Sequence, residues 1–162
     1  RNLITILILC FSSTLASQET ISELLKKHNS ERIPYIKVEN VSSQANTIIL
    51  DAREFSEYKV SHIKNAIHVG YDNFKLKKTK KLLSNKQQTI VVYCSLGIRS
   101  EDIAEKLKKA GYSNVYNLYG GIFEWKNQDF KVYDSNEVET EKVHTFNEAW
   151  SKWLKKGIKI YD

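Results

Sequence analysis

TIVVYCSLGIRSEDIAEKLKKAG, residues 89–111, is the stretch whose reading decides the fold. Thr89 to Tyr93 is an apolar, β-branched run that reads as a buried strand. Cys94 follows at once, at the carboxyl end of that strand. A short loop runs to Arg99, and an amphipathic helix begins directly after it. In that helix, Ile103, Ala104, Leu107 and Ala110 fall on one face, and Gly111 supplies the stop. A thiol in this position faces the free N–H groups of a helix start. Those donors, the helix dipole and a nearby guanidinium all stabilise negatively charged sulfur, the form in which cysteine reacts.

Working outward, strand and helix alternate. Strands are expected at Tyr35–Val38, Ile48–Leu50, Ala66–Val69, Thr89–Tyr93 and Asn114–Leu118. Helices are expected at Glu54–Val60, Leu76–Leu83 and Glu101–Ala110. Thr20-Ile-Ser-Glu23 has the pattern of a capping box opening a further short helix, with a mobile leader as the other reading. The alternation predicts an α/β fold with a central, mostly parallel five-stranded sheet and helices on both faces. In such sheets ligands bind beyond the carboxyl ends of the strands, which is where Cys94 lies.

The two ends of the chain read differently from the middle. Residues 1–17, RNLITILILCFSSTLAS, have a basic start, an apolar run and small residues at Thr14, Ala16 and Ser17. This is the layout of a secretory signal peptide cleaved after Ala16 or Ser17, which predicts export to the periplasm or the medium. Retention as an anchor is the alternative, but the apolar run is short of the roughly 20 residues a span needs. Lipidation at Cys10 is disfavoured by Leu9 before it. Cleavage would leave Cys94 as the single thiol, with no intramolecular disulfide open to it. Residues 18–34 then form a leader. Residues 128–162 form an extension in which Thr145-Phe-Asn-Glu148 resembles a capping box and Phe146, Ala149, Trp150, Trp153 and Leu154 repeat at helical spacing. A helix over 146–156 is expected, ended by Gly157 and either packed back on the domain or offered to a partner. Lys159-Ile-Tyr161 could add an edge strand.

Composition sets outer bounds. The chain has 162 residues, 25 basic against 19 acidic, and a net charge of +6. That surplus is too small to argue for nucleic acid. The lysine run from Lys75 to Lys86 lacks interleaved aromatics and reads as a solvated helix face.

Three motifs in order resemble the rhodanese domain, the sulfurtransferase fold. IILDAREFSEYKVSHIKNAIHVG (48–70) is similar to the family's strand, Asp-x-Arg and His-Ile stretch. VVYCSLGIRS (91–100) resembles its Cys-x-x-Gly-x-Arg loop. NVYNLYGGIFEW (114–125) resembles its closing strand, Gly-Gly pair and terminal aromatic. The resemblance covers 35–127. It departs at Ser61, where the family usually has Gly, and at Lys64-Asn65, in place of Pro-Gly.

The resemblance implies that Cys94 takes sulfur from a donor such as thiosulfate and passes it from a persulfide to cyanide or a thiol, with no metal and no organic cofactor. Ser95, Leu96, Gly97, Ile98, Arg99 and Ser100 would form the substrate cradle. The loop's N–H groups make an anion-binding nest, Gly97 relaxes the backbone, and Arg99 can offer paired hydrogen bonds to a sulfonate. Arg53 is either at the pocket mouth or in an internal ion pair, with Glu57 as a candidate partner. Asp51 and His62 read as structural. A small sulfane-sulfur donor, a thiol acceptor and a thiol-redox protein are the implied partners. Phosphatases and arsenate reductases on this fold place five residues between Cys and Arg; here four intervene, which favours sulfur. A non-enzymatic module that carries persulfide or binds a partner is the alternative of another class.

Overall fold

The computed structural model describes residues 19–42 and 46–161. The signal-peptide reading of residues 1–17 lies outside them. In chain order the elements are α1 (Ile21–His28), β1 (Tyr35–Ile36), α2 (Val38–Ser42), β2 (Ile48–Asp51), α3 (Phe55–Val60), β3 (Ile67–His68), α4 (Leu76–Leu82) and β4 (Ile90–Tyr93). They continue with α5 (Arg99–Lys109), β5 (Val115–Leu118), α6 (Gly121–Asn127), β6 (Val132–Tyr133), β7 (Glu139–Thr140), β8 (Lys142–His144), α7 (Glu148–Ser151) and β9 (Ile158–Ile160).

All five expected strands form one parallel sheet in the order β1-β5-β4-β2-β3. The continuous apolar run of β4 earns it a central place. Its side chains alternate, so each face of the sheet receives half of them. Val91 and Tyr93 enter one core with Leu24 of α1, Ile122 and Phe123 of α6, and Trp153 and Leu154 of the tail. Ile90 and Val92 enter the other, with Ile103, Ala104 and Leu107 of α5 and with Leu83 after α4. Each buried Val, Leu, Ile or Phe among these contributes about 1.5–3 kcal/mol. The α/β architecture with helices on both faces is therefore as expected.

The leader reads as structure. Thr20 accepts from the Glu23 N–H and Glu23 accepts from the Thr20 N–H, a complete capping box, and Leu24 and Leu25 are buried. At the departing turn, Asn65 sits at φ +62. Asn tolerates the left-handed region better than most residues, so this position meets the turn without glycine. The lysines of Lys75–Lys86 lie on the exposed side of α4 and its flanks.

The tail departs from expectation. In place of a helix over 146–156 there is one turn, Glu148–Ser151, capped by the Asn147 side chain, which accepts from the Trp150 N–H. Thr145 does not open a helix because Phe146, which would be the first helical residue, sits at φ +66, while the Thr145 N–H and hydroxyl both donate to the Ile160 carbonyl. The far end is stopped where the N–H groups of Lys155 and Lys156 turn to Asn127 Oδ1. Lys159 does lie in a strand, but β9 pairs parallel with β8 and not with the main sheet. The apolar stripe divides accordingly. Trp153 and Leu154 enter the core, Trp150 is half-buried, and Phe146 remains exposed. Among the described residues, no helix is long and apolar enough to cross a membrane.

Candidate active site

The loop from Cys94 to Ile98 leaves the end of β4 and feeds straight into α5. Its shape is held from below by the Gly120-Gly121 turn. The first N–H groups of α6 donate to loop carbonyls, Ile122 to Cys94 at 2.9 Å and Phe123 to Ser95 at 3.2 Å. A Cβ on Gly121, already at φ +55, would lie 2.3 Å from the Cys94 carbonyl oxygen. Glycine is thus required there by close approach of two backbones.

Cys94 is 2% exposed. Its Sγ accepts from the Gly97 N–H at 3.2 Å. Ser100 Oγ lies 3.5 Å from Sγ and 2.7 Å from Asn117 Oδ1, so its single hydrogen serves one of the two at a time. Gly97 adopts φ +108. Its carbonyl accepts from Asn117 Nδ2 at 2.7 Å and from Asn29 Nδ2 at 2.9 Å. Two amides, one from β5 and one from the residue after α1, therefore pin the glycine whose own N–H meets the sulfur.

Arg99 is placed beside this loop, with its two terminal nitrogens engaged. Nη1 and Nη2 bind the two carboxylate oxygens of Glu57 at 2.7 and 2.8 Å, and Nη2 also reaches Ser95 Oγ at 3.1 Å. Two of the guanidinium nitrogens expected to meet a substrate sulfonate are thus turned to the Glu57 carboxylate of α3. The physical reason is Glu57 itself. It is 2% exposed, and a carboxylate so deeply buried must be paired. Burial alone would raise the Glu57 pKa; the hydrogen bonds and charge of Arg99, with the charge of Arg53, outweigh it and hold the group below its ordinary value. For Arg99, burial opposes the charged form, and Glu57 together with the Cys94 sulfur more than reverses this, so its pKa is raised.

Arg53 is not at the pocket mouth. It is fully buried, with Nε and Nη2 on Asp51 at 3.0 and 2.6 Å and Nη2 on the Ser61 carbonyl at 2.6 Å. Tyr93 also donates to Asp51. Its ion-pair partner is Asp51 and not Glu57, and no substrate can touch it. The same local chemistry explains the Asp-x-Arg spacing: Asp51 accepts from the Arg53 backbone N–H and closes a tight turn at the end of β2. His62 is structural as read. It stacks on Tyr58 at 4.0 Å, with Nδ1 near the Tyr58 carbonyl and Nε2 near Glu137. Glu101 is buried and accepts from Ser30, and Asp102 accepts from Tyr71.

Above the sulfur lies a cavity of about 170 Å³ lined by Cys94, Ser95, Leu96, Ile98, Arg99, Phe146 and Trp150. The last two come from the tail, and sequence reasoning did not bring them to the site. The signal was present, because Phe146 and Trp150 are four residues apart on the tail's apolar stripe. Glu57, Asn29 and Asn117 were also missed as loop supports; short polar side chains carry no periodic signature.

A cysteine lining a pocket at the carboxyl edge of a five-stranded parallel sheet, with four residues between it and an arginine, defines a rhodanese-type α/β domain. The rhodanese-like domain family matches residues 36–128, and the chain belongs to that family. Curated relatives that share this segment include the tRNA uridine(34) hydroxylases of Photorhabdus laumondii, 37% identical over 97 residues, and of Pectobacterium carotovorum, 35% identical over 100 residues. These matches cover 56% and 58% of this chain, and the chain spans only 28% of the length of each relative. Among solved structures, a thiosulfate sulfurtransferase from Pseudomonas aeruginosa is similar with a TM-score of 0.61 at 22% identity, over 81% of this chain and 25% of that one. A rhodanese-like domain from Anabaena gives a TM-score of 0.57 at 24% identity, over 62% and 79%. These two likenesses are of fold.

Proposed function

We propose that the protein is a sulfurtransferase that carries sulfane sulfur on Cys94. One observation carries the reading: the Cys94 sulfur lies at the floor of an open cavity, held by a loop N–H and beside a guanidinium. The Cys94 thiolate attacks the outer sulfur of a donor. With thiosulfate, the bond between the two donor sulfurs breaks, sulfite leaves with the electron pair, and a Cys94 persulfide anion remains. The Gly97 N–H, the Ser100 hydroxyl and the positive charge of Arg99 support that negative charge. A nucleophilic acceptor, cyanide or a thiolate, then attacks the outer sulfur and returns Cys94 as thiolate. Neither half-reaction needs an external oxidant or reductant.

The segment shared with the hydroxylases is too small a part of them to bring their reaction here. Arg99's engagement with Glu57 favours one second reading, a persulfide carrier that hands sulfur to a partner without rapid turnover on small anions. Thiosulfate:cyanide assays together with intact-mass measurement separate these. Wild type should gain one sulfur and form thiocyanate; Cys94→Ala should show neither above the protein-free rate. Equal thiocyanate from both proteins would remove Cys94 from the mechanism. A persulfide that forms but turns over only with a protein thiol would favour the carrier.

A further inference from the structure

We infer that the tail makes this site selective for sulfane donors with an apolar, ring-sized body, with Phe146 and Trp150 as the selectivity residues; the inference rests on the persulfide reading above. Three independent observations converge on it.

The first is the wall of the cavity. Beside Cys94 and Ser95, its lining is Leu96, Ile98, Phe146, Trp150 and the guanidinium of Arg99. That guanidinium spends Nη1 and Nη2 on Glu57, and the Phe146 ring packs against it at 5.2 Å. Two of its nitrogens are thereby turned from the cavity toward α3, and an apolar body gains contact with Leu96, Ile98, Phe146 and Trp150. The second is size. The cavity measures about 170 Å³, and an apolar protein cavity of about 150 Å³ accepts a benzene ring.

The third is the backbone of Phe146. It sits at φ +66, a region that bulky side chains avoid. The conformation is held by three bonds: Thr145 is fastened to Ile160, the Phe146 N–H donates to His144 Nδ1, and the Asn147 N–H donates across Phe146 to the Thr145 carbonyl at 2.7 Å. Core burial does not compensate for it, since Phe146 is 47% exposed. What the ring does there is close one side of the Cys94 pocket. Trp150, half-buried on the following turn, completes that side.

The chemistry is balanced for an aryl thiosulfonate. The Cys94 thiolate takes the terminal sulfur, the sulfur–sulfur bond breaks, and the aryl sulfinate leaves with the electron pair. The test compares benzenethiosulfonate, methanethiosulfonate and thiosulfate as donors to the full chain, with cyanide as acceptor. The readout is the ratio of kcat/KM for the benzene over the methane compound, measured in wild type, Phe146→Ala and Trp150→Ala. Both thiosulfonates are monoanions, so the ratio reports the apolar body, and comparison with wild type cancels their intrinsic reactivities. The ratio should fall about fivefold to tenfold in each variant and be largely retained in Trp150→Phe. Ratios within twofold of wild type in both alanine variants, with Cys94 persulfide still forming, overturn the selectivity alone. No persulfide from any of the three donors overturns the sulfur-transfer reading and the selectivity with it. Should Trp150→Ala unfold, Phe146→Ala decides, because its exposed ring is not part of the core.

Discussion

Two arginine–carboxylate pairs stand on neighbouring strand ends and are built alike, yet they do different work. Arg53 and Asp51 are sealed at the end of β2, with neither side chain exposed. Tyr93, the Ser61 carbonyl and the Arg53 backbone N–H add hydrogen bonds to the pair, and Arg53 Nη1 is buried without a hydrogen-bond partner. Arg99 and Glu57 are also bidentate, through Nη1 and Nη2 where Arg53 uses Nε and Nη2, but the Arg99 side chain keeps 18% of its surface and faces the Cys94 cavity. The sealed pair joins β2 to the loop after α3. The open pair sets the electrostatics of a pocket: it places positive charge near the sulfur while withholding its donors from solvent. A guanidinium near a pocket cysteine is therefore not the same thing as an anion-binding guanidinium; what matters is which donors are still free.

The contrast can be broken most directly at Arg53. Arg53→Ala leaves the Asp51 carboxylate buried and unpaired, and should cost about 3–5 kcal/mol, read as a fall in urea midpoint with an unchanged slope. If the protein folds, its donor preference should match wild type. A shift in preference as large as that of a Glu57 variant would show that the two pairs are not separate in function.

A smaller effect is expected at Glu57. Glu57→Gln removes the countercharge and frees part of Arg99 for substrate oxygens. Relative kcat/KM for thiosulfate over benzenethiosulfonate should rise about fivefold, the worth of a contact near 1 kcal/mol. A falling ratio would mean that Glu57 supports the anion through the loop.

The smallest effect concerns pH. The Glu57 pKa is lowered in the folded protein, so its contribution to stability is present above the ordinary carboxylate value and is lost as pH falls through the lowered one. Acid unfolding of Glu57→Gln should accordingly be less steep than that of wild type. Identical acid limbs would place the titration elsewhere.

The legible part of the sequence was the part whose signals are local. The apolar run into Cys94, the stop at Gly111 and the capping box at Thr20 and Glu23 each state their structure within a few residues. The five strands and the loop followed from such signals. The pairings of Arg53 and Arg99 did not, because each guanidinium had more than one carboxylate in reach and only the packing of α3 decides between them. The tail misled for a related reason. Its stripe has helical spacing, but Thr145 answers to Ile160 and Lys155 to Asn127, and those long-range bonds leave one turn where the periodicity alone promised a full helix. The same bonds carried Phe146 to the site.

The pairing of β8 with β9 has a consequence for how such a site can change. Residues 145–157 leave and return to a fastener of their own, Lys142–His144 against Ile158–Ile160, and not to a strand of the central sheet. The segment that walls the pocket is thus held twice, by that fastener and by Trp153 and Leu154 in the core. Its exposed positions, Phe146 among them, can be rewritten, by evolution or by design, while those anchors, the Cys94 loop and the sheet beneath it stay as they are.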